Sequence, residues 1–168
     1  MPLLVRKIDR AKWEGSDPAA PSSLPADAIT GCLKTSSNAL STWRIQTRSE
    51  LESAVLALAA GFTNLDTVDV VPLDERSIES AGLRIVVTPG RTPVDSLADR
   101  HRDIADLTLS SLGIFAGLVL QEVHGKNVIR FTRKDLKRLL KDAIASSLLA
   151  VERLSPSVAS KLNNDTTQ

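Results

Sequence analysis

The sequence predicts an α/β (or α+β) fold, a small mixed or partly parallel sheet with packed helices, leading into a mostly helical C-terminal half. Three observations predict it. Short apolar runs near 3–8, 40–46, 67–71 and 83–88 have strand length. The segments between the last three carry helical spacing, so the chain from Leu40 to Thr88 alternates strand and helix twice. That alternation favours at least partly parallel pairing with helices on the sheet. Beyond Gly90 the apolar residues recur at helical spacing almost to the end.

Leu3–Ile8 reads as the first strand. The stretch from Asp9 to Pro25 reads as a long loop punctuated by Pro18, Pro21 and Pro25, and Ala26–Leu33 as a short helix. Leu40–Gln46, with Trp43 and Ile45, is the second strand. Thr47 and Glu50 have capping-box spacing ahead of a helix whose Leu51, Ala54, Val55, Leu58 and Ala59 form one face. Thr67–Val71 is a strand stopped by Pro72. Asp74 caps a short helix reaching Ser80, and Leu83–Thr88 is a further strand. Thr92 and Asp95 again have capping-box spacing with Pro93 between them, which predicts a helix to about Leu107. A nearly all-apolar helix follows from Ser110 to Val123. Val128–Phe131 is a short strand, and Thr132 caps an amphipathic helix through about Arg153. Ser155 and Pro156 open a last short helix before a polar tail at 163–168.

One domain accounts for 1–168, with a strand/helix half at 1–90 and a mainly helical half at 91–162. Hydrophobic residues at 42% supply a sizeable core, and aromatics at 3% make that core aliphatic. Cys32 is the only cysteine, which excludes an internal disulfide and a cysteine zinc site and fits a reducing compartment. The N-terminal residues lack the apolar stretch of a signal peptide. The longest apolar run, Leu112–Leu120, is about half of what a spanning helix needs. These features predict a soluble, cytoplasmic protein with no membrane association.

Several motifs can be set aside. His101-Arg102-Asp103 spells the kinase catalytic-loop tripeptide, but no glycine-rich loop or Asp-Phe-Gly accompanies it. In the predicted helix His101 falls on the core-facing side. Asp66, Asp69, Asp74 and Glu75 would suit a metal-dependent nuclease, but the next strand supplies neither the further acid nor the lysine that chemistry needs. Nothing in the spacing links Cys32 to His101 or His124, and Walker and dinucleotide glycine signatures are absent. No cofactor and no metal is expected, and no catalytic residue is assigned.

Three features remain as candidate sites. The net charge of +1 hides an uneven distribution, with seven bases and one acid between Lys126 and Lys141 and seven acids facing only Arg76 between Glu50 and Glu79. Lys126, Arg130, Arg133, Lys134, Lys137, Arg138 and Lys141 therefore form a candidate surface for nucleic acid or an acidic partner. Gly90, Arg91 and Thr92 lie between a strand and a predicted helix start, where an anion could sit. Gly113 and Gly117 are four apart on the apolar helix, spaced for close packing within the domain or between subunits.

The expectation is a non-catalytic interaction or accessory protein, acting through a protein partner or self-association, such as a subunit of a larger bacterial assembly. One alternative is nucleic-acid binding through the basic helix at 133–150. The other is an enzyme with a dispersed site near Arg91, His101 and Asp103.

Overall fold

The computed structural model describes residues 1–20 and 23–163. Pro21, assigned above to the long loop, and residues 164–168 of the polar tail lie outside the described residues. The elements are β1 Leu3–Ile8, α1 Ala26–Cys32, β2 Leu40–Ile45, α2 Leu51–Ala60, β3 Val68–Asp74, α3 Glu75–Ser80, β4 Arg84–Val87, β5 His101–Ala105, α4 Leu109–His124, β6 Ile129–Phe131, α5 Arg133–Ala145 and α6 Pro156–Asn163.

The expected mixture of strands and packed helices is what the chain forms. Six strands make one sheet in the order β4-β5-β2-β1-β3-β6. Every adjacent pair is antiparallel, which corrects the expected partly parallel pairing. The physical reason lies in what fills the gaps. Both β2 and β3 run against β1, so they are parallel to each other, as helix-crossover strands should be, but β1 lies between them. In the same way β5 separates β4 from β2.

Helices cover both faces of this sheet. Strand side chains alternate between two apolar layers. Val5, Trp43, Ile45, Val68 and Val70 face α2, α5 and α6, while Leu4, Ile8, Val71, Leu73 and Ile104 face α1, α3 and α4. Strands β1 and β3 thus contribute apolar side chains to both layers.

Four boundaries differ from expectation. The helix expected from Thr92 to Leu107 is a 3-10 turn at Asp95–Arg100 followed by strand β5. Val94, Leu97, His101 and Ile104 have helical spacing, but β5 is placed between β2 and β4, whose ladders outweigh local propensity. β3 continues through Pro72 to Asp74. β6 pairs only with Val68–Val70, so Pro72, which has no N–H to give, lies beyond the reach of that ladder. α5 ends at Ala145 rather than near Arg153. The Ser146 hydroxyl donates back to Asp142 O, and Ser147 adopts a left-handed φ of 60°. At α2 the expected Thr47 cap does not form. A 3-10 turn at Arg48–Glu50 precedes the helix, and the Glu50 carboxylate instead accepts the Gln46 N–H at 2.9 Å.

Other local signals hold. Asp74 accepts the Ser77 N–H at the start of α3, and Thr132 forms a capping box with Asp135 at the start of α5. The loop after β1 is anchored rather than loose, because Trp13 is fully buried in the layer beneath α4. Among the described residues no helix is long and apolar enough to cross a membrane.

Candidate functional site

The end of the sheet beyond the C-terminus of α2 carries polar side chains where the rest of that face is apolar. Ser41 and Trp43 of β2 lie directly across from Asp103 and His101 of β5, and Thr88 follows the last residue of β4. Because strand residues two apart share a face, all five point to the same side of the sheet as α2. Ala57, Leu58, Gly61 and Phe62 form the opposite wall, and Pro89 and Arg91 the rim. Together they enclose a cleft of 540 Å³, within the range of small-molecule sites.

The polar groups are bonded to one another. The Thr88 hydroxyl donates to Asp103 Oδ2 at 2.8 Å, and Ser41 Oγ donates to Asp103 Oδ1 at 3.2 Å. His101 Nδ1 lies 2.9 Å from Thr88 Oγ1 and 3.1 Å from the Thr88 carbonyl. His101 is 9% exposed, and its imidazole meets the Trp43 ring edge-on, with centroids 5.2 Å apart. Beside the cleft, Lys7 Nζ stands 4.7 Å over the Phe62 ring, a cation–π contact.

Gly90 sets the position of the rim. A Cβ there would stand 2.5 Å from Trp43 Cη2 and 2.8 Å from His101 Cβ, so only glycine lets the loop close this tightly. The Gly90 N–H donates to Ala98 O, and the Thr92 hydroxyl donates to Ala57 O, each at 2.9 Å. Thr92 therefore ties the loop to α2 instead of capping a helix. Of the candidate anion site at Gly90, Arg91 and Thr92, only Arg91 lines the cleft.

The basic segment is largely engaged within the chain. Arg130 grips Asp69 with two bonds of 2.8 and 2.9 Å, Arg133 reaches Asp66 and the Leu65 carbonyl, and Arg138 pairs with Glu52. The hydrogen bonds from Arg130 hold the Asp69 carboxyl below the usual carboxylate range. Lys126, Lys134 and Lys141 are exposed, and Lys137 is half-buried. The carboxylates weighed as a nuclease site are dispersed among these and other roles. Asp74 caps α3 and Glu75 pairs with Arg44 at 2.9 Å.

Gly113 and Gly117 are not close-packed within the domain: a Cβ at either would meet nothing within 4 Å. They lie on an open face of α4 where Leu109 is 89% and Ile114 45% exposed. Cys32 is buried in the layer facing α4, across the sheet from His101, and its sulfur accepts the Asp9 N–H at 3.2 Å. His124 bonds the Ser16 carbonyl.

Of the cleft, sequence reasoning had Arg91, His101 and Asp103 but missed Ser41, Trp43, Phe62 and Thr88. The available signal was the two-residue alternation in Ser41-Thr42-Trp43 and His101-Arg102-Asp103, each placing its outer pair on one side of a strand. Compared with family models, with curated proteins and with solved structures, the chain finds no match in any of the three.

Proposed function

We propose that the chain binds a small molecule in the cleft between β2, β5 and the end of α2. The observation that carries this is the convergence of Ser41, Thr88, His101 and Asp103 on one spot, beside Trp43 and Phe62. Convergent polar groups beside aromatic side chains in a recess are the usual makings of a ligand site. The arrangement gathers the residues of the dispersed-site alternative, so the cleft is also where any catalysis would take place. A reducing, cytoplasmic setting fits the single buried Cys32.

A screen of small polar metabolites against the full chain, read by melting temperature and Trp43 emission, tests this. A ligand at a hundred times its Kd should add about 2.7 kcal/mol of stability. Ser41→Leu, which fills the cleft floor, should abolish the effect. A screen yielding no compound whose stabilisation depends on Ser41 would count decisively against it.

A second reading is the interaction protein expected from sequence, now resting on α4 alone. Leu109, Gly113, Ile114 and Gly117 leave an open apolar face there. Light scattering tests it: a monomer at all concentrations that recovers no partner speaks against it. The split of charge argues less for a partner, since Arg130, Arg133 and Arg138 pair with Asp69, Asp66 and Glu52 within the chain. The same pairing counts against nucleic-acid binding.

A further inference from the structure

The two ring nitrogens of His101 are not equivalent. Nδ1 approaches the Thr88 carbonyl at 3.1 Å, and a carbonyl oxygen only accepts, so Nδ1 carries the hydrogen. The Thr88 hydroxyl spends its single hydrogen on Asp103 Oδ2, so it too accepts from the ring. In the neutral imidazole the lone pair therefore lies on Nε2. That nitrogen stands 3.9 Å from Asp103 Oδ1, too far for a direct hydrogen bond. Oδ1 already accepts from Ser41, but a carboxylate oxygen has room for a second donor. Two acceptors thus flank one gap; the single hydrogen of an O–H satisfies one of them, and the N–H bonds of an amino group satisfy both.

The rim has the opposite character. Arg91 is exposed, lines the same cleft and has no hydrogen-bond or ion-pair partner among the described residues. Lys7, which is not part of the cleft lining, puts a second positive charge over the Phe62 ring. The site is therefore acceptor-rich at the floor and cationic at the edge, with Trp43 and Phe62 between.

Building on the small-molecule reading above, we infer that the ligand is a small organic anion that also carries a hydroxyl or amino donor. The donor enters the gap between His101 Nε2 and Asp103 Oδ1, a hydroxyl bonding one of the two and an amino group both, and the anionic group meets Arg91. The apolar body lies against Trp43 and Phe62.

Titration of the full chain with 4-hydroxybenzoate, benzoate and phenol, followed by amide NMR shifts and Trp emission, tests this assignment. 4-Hydroxybenzoate should bind about tenfold more tightly than either half-ligand, since each of these leaves one end of the site unmet. Arg91→Gln should reduce its affinity to that of phenol. Long-range proton–nitrogen spectra of the ring should show the Nδ1–H form of His101 in the free protein. An Nε2–H ring, or an Arg91→Gln variant with unchanged affinity, overturns the inference. Equal binding of all three probes, lost in Ser41→Leu, overturns the donor-plus-anion assignment and leaves the cleft a binding site. Binding of none of them also overturns it, and the wider metabolite screen then decides the cleft reading separately.

Discussion

Replacing Gly90 by Ala tests whether the cleft rim is held as tightly as its geometry implies. The residue has no left-handed φ, so space and not backbone freedom demands glycine. The new methyl would stand 2.5 Å from Trp43 Cη2, 2.8 Å from His101 Cβ and 3.0 Å from Trp43 Cζ3. Carbon atoms pack best at about 3.5–4.0 Å, so the loop must retreat by about 1 Å. Neither neighbour can yield, because Trp43 and His101 are themselves buried between strands and α2. Overpacking of this kind costs about 1–3 kcal/mol, and weakening the Gly90–Ala98 hydrogen bond adds about 1 kcal/mol. The stiffer unfolded chain returns about 0.4–1 kcal/mol. The net loss, about 1–3 kcal/mol, corresponds to a fall in melting temperature of about 2–12 °C for a chain of this length. Calorimetry measures it, and near-UV circular dichroism reports the Trp43 environment. A melting temperature within about 1 °C of the parent, with an unchanged aromatic spectrum, would refute the reasoning.

Gly113→Ala and Gly117→Ala in α4 should act in the opposite sense. Each adds a helix-favouring methyl in open space and should stabilise the chain by about 0.5–1 kcal/mol. If either instead weakens a measured self-association, the glycines serve a subunit contact. Asp69→Asn should cost about 1–2 kcal/mol at neutral pH, with part of the Arg130 interaction screened by that side chain's exposure. Because the folded-state carboxyl titrates below its unfolded value of about 3.9, its contribution is fully present above that pH. The contribution fades as pH falls through the folded value, so acid unfolding curves of the variant should lack this component. An identical acid limb in both proteins contradicts the assignment. Fluorescence polarisation with duplex DNA should show no binding at physiological salt. Tight binding that weakens steeply with salt would restore the basic-helix reading.

Sequence made the strand positions legible because β1, β2 and β4 are short segments carrying Leu, Ile, Val or Trp between polar or turn boundaries. It also located the caps at Asp74 and Thr132, where the signal is one side chain reaching three residues ahead. β5 escaped because His101-Arg102-Asp103 is three polar residues in a row, and the partners of His101 and Asp103 are Ser41 and Trp43 of β2, remote in sequence, and Thr88 beyond β4. The site was half-visible for the same reason. The charge imbalance was plain, but its meaning depended on the β3–β6 and α2–α5 neighbourhoods that place Asp69 beside Arg130 and Glu52 beside Arg138. Spacing along the chain carries no record of such pairing.

The position of β1 has a kinetic consequence. This strand, made from Leu3–Ile8, lies inside the sheet, and its ladder joins Leu3 to Asp74 on one side and Leu3 to Ile45 on the other. The β2–β5 ladder likewise joins Leu40 to Ile104. Each of these closures spans a long loop before any contact repays its entropy, so folding should be slow, on the order of milliseconds to seconds. On a ribosome, Leu3–Ile8 must wait with one edge unsatisfied until Ile45 has emerged and with the other unsatisfied until Asp74 has. Until then the nascent chain exposes a strand with first two open edges and then one, the state most in need of a chaperone.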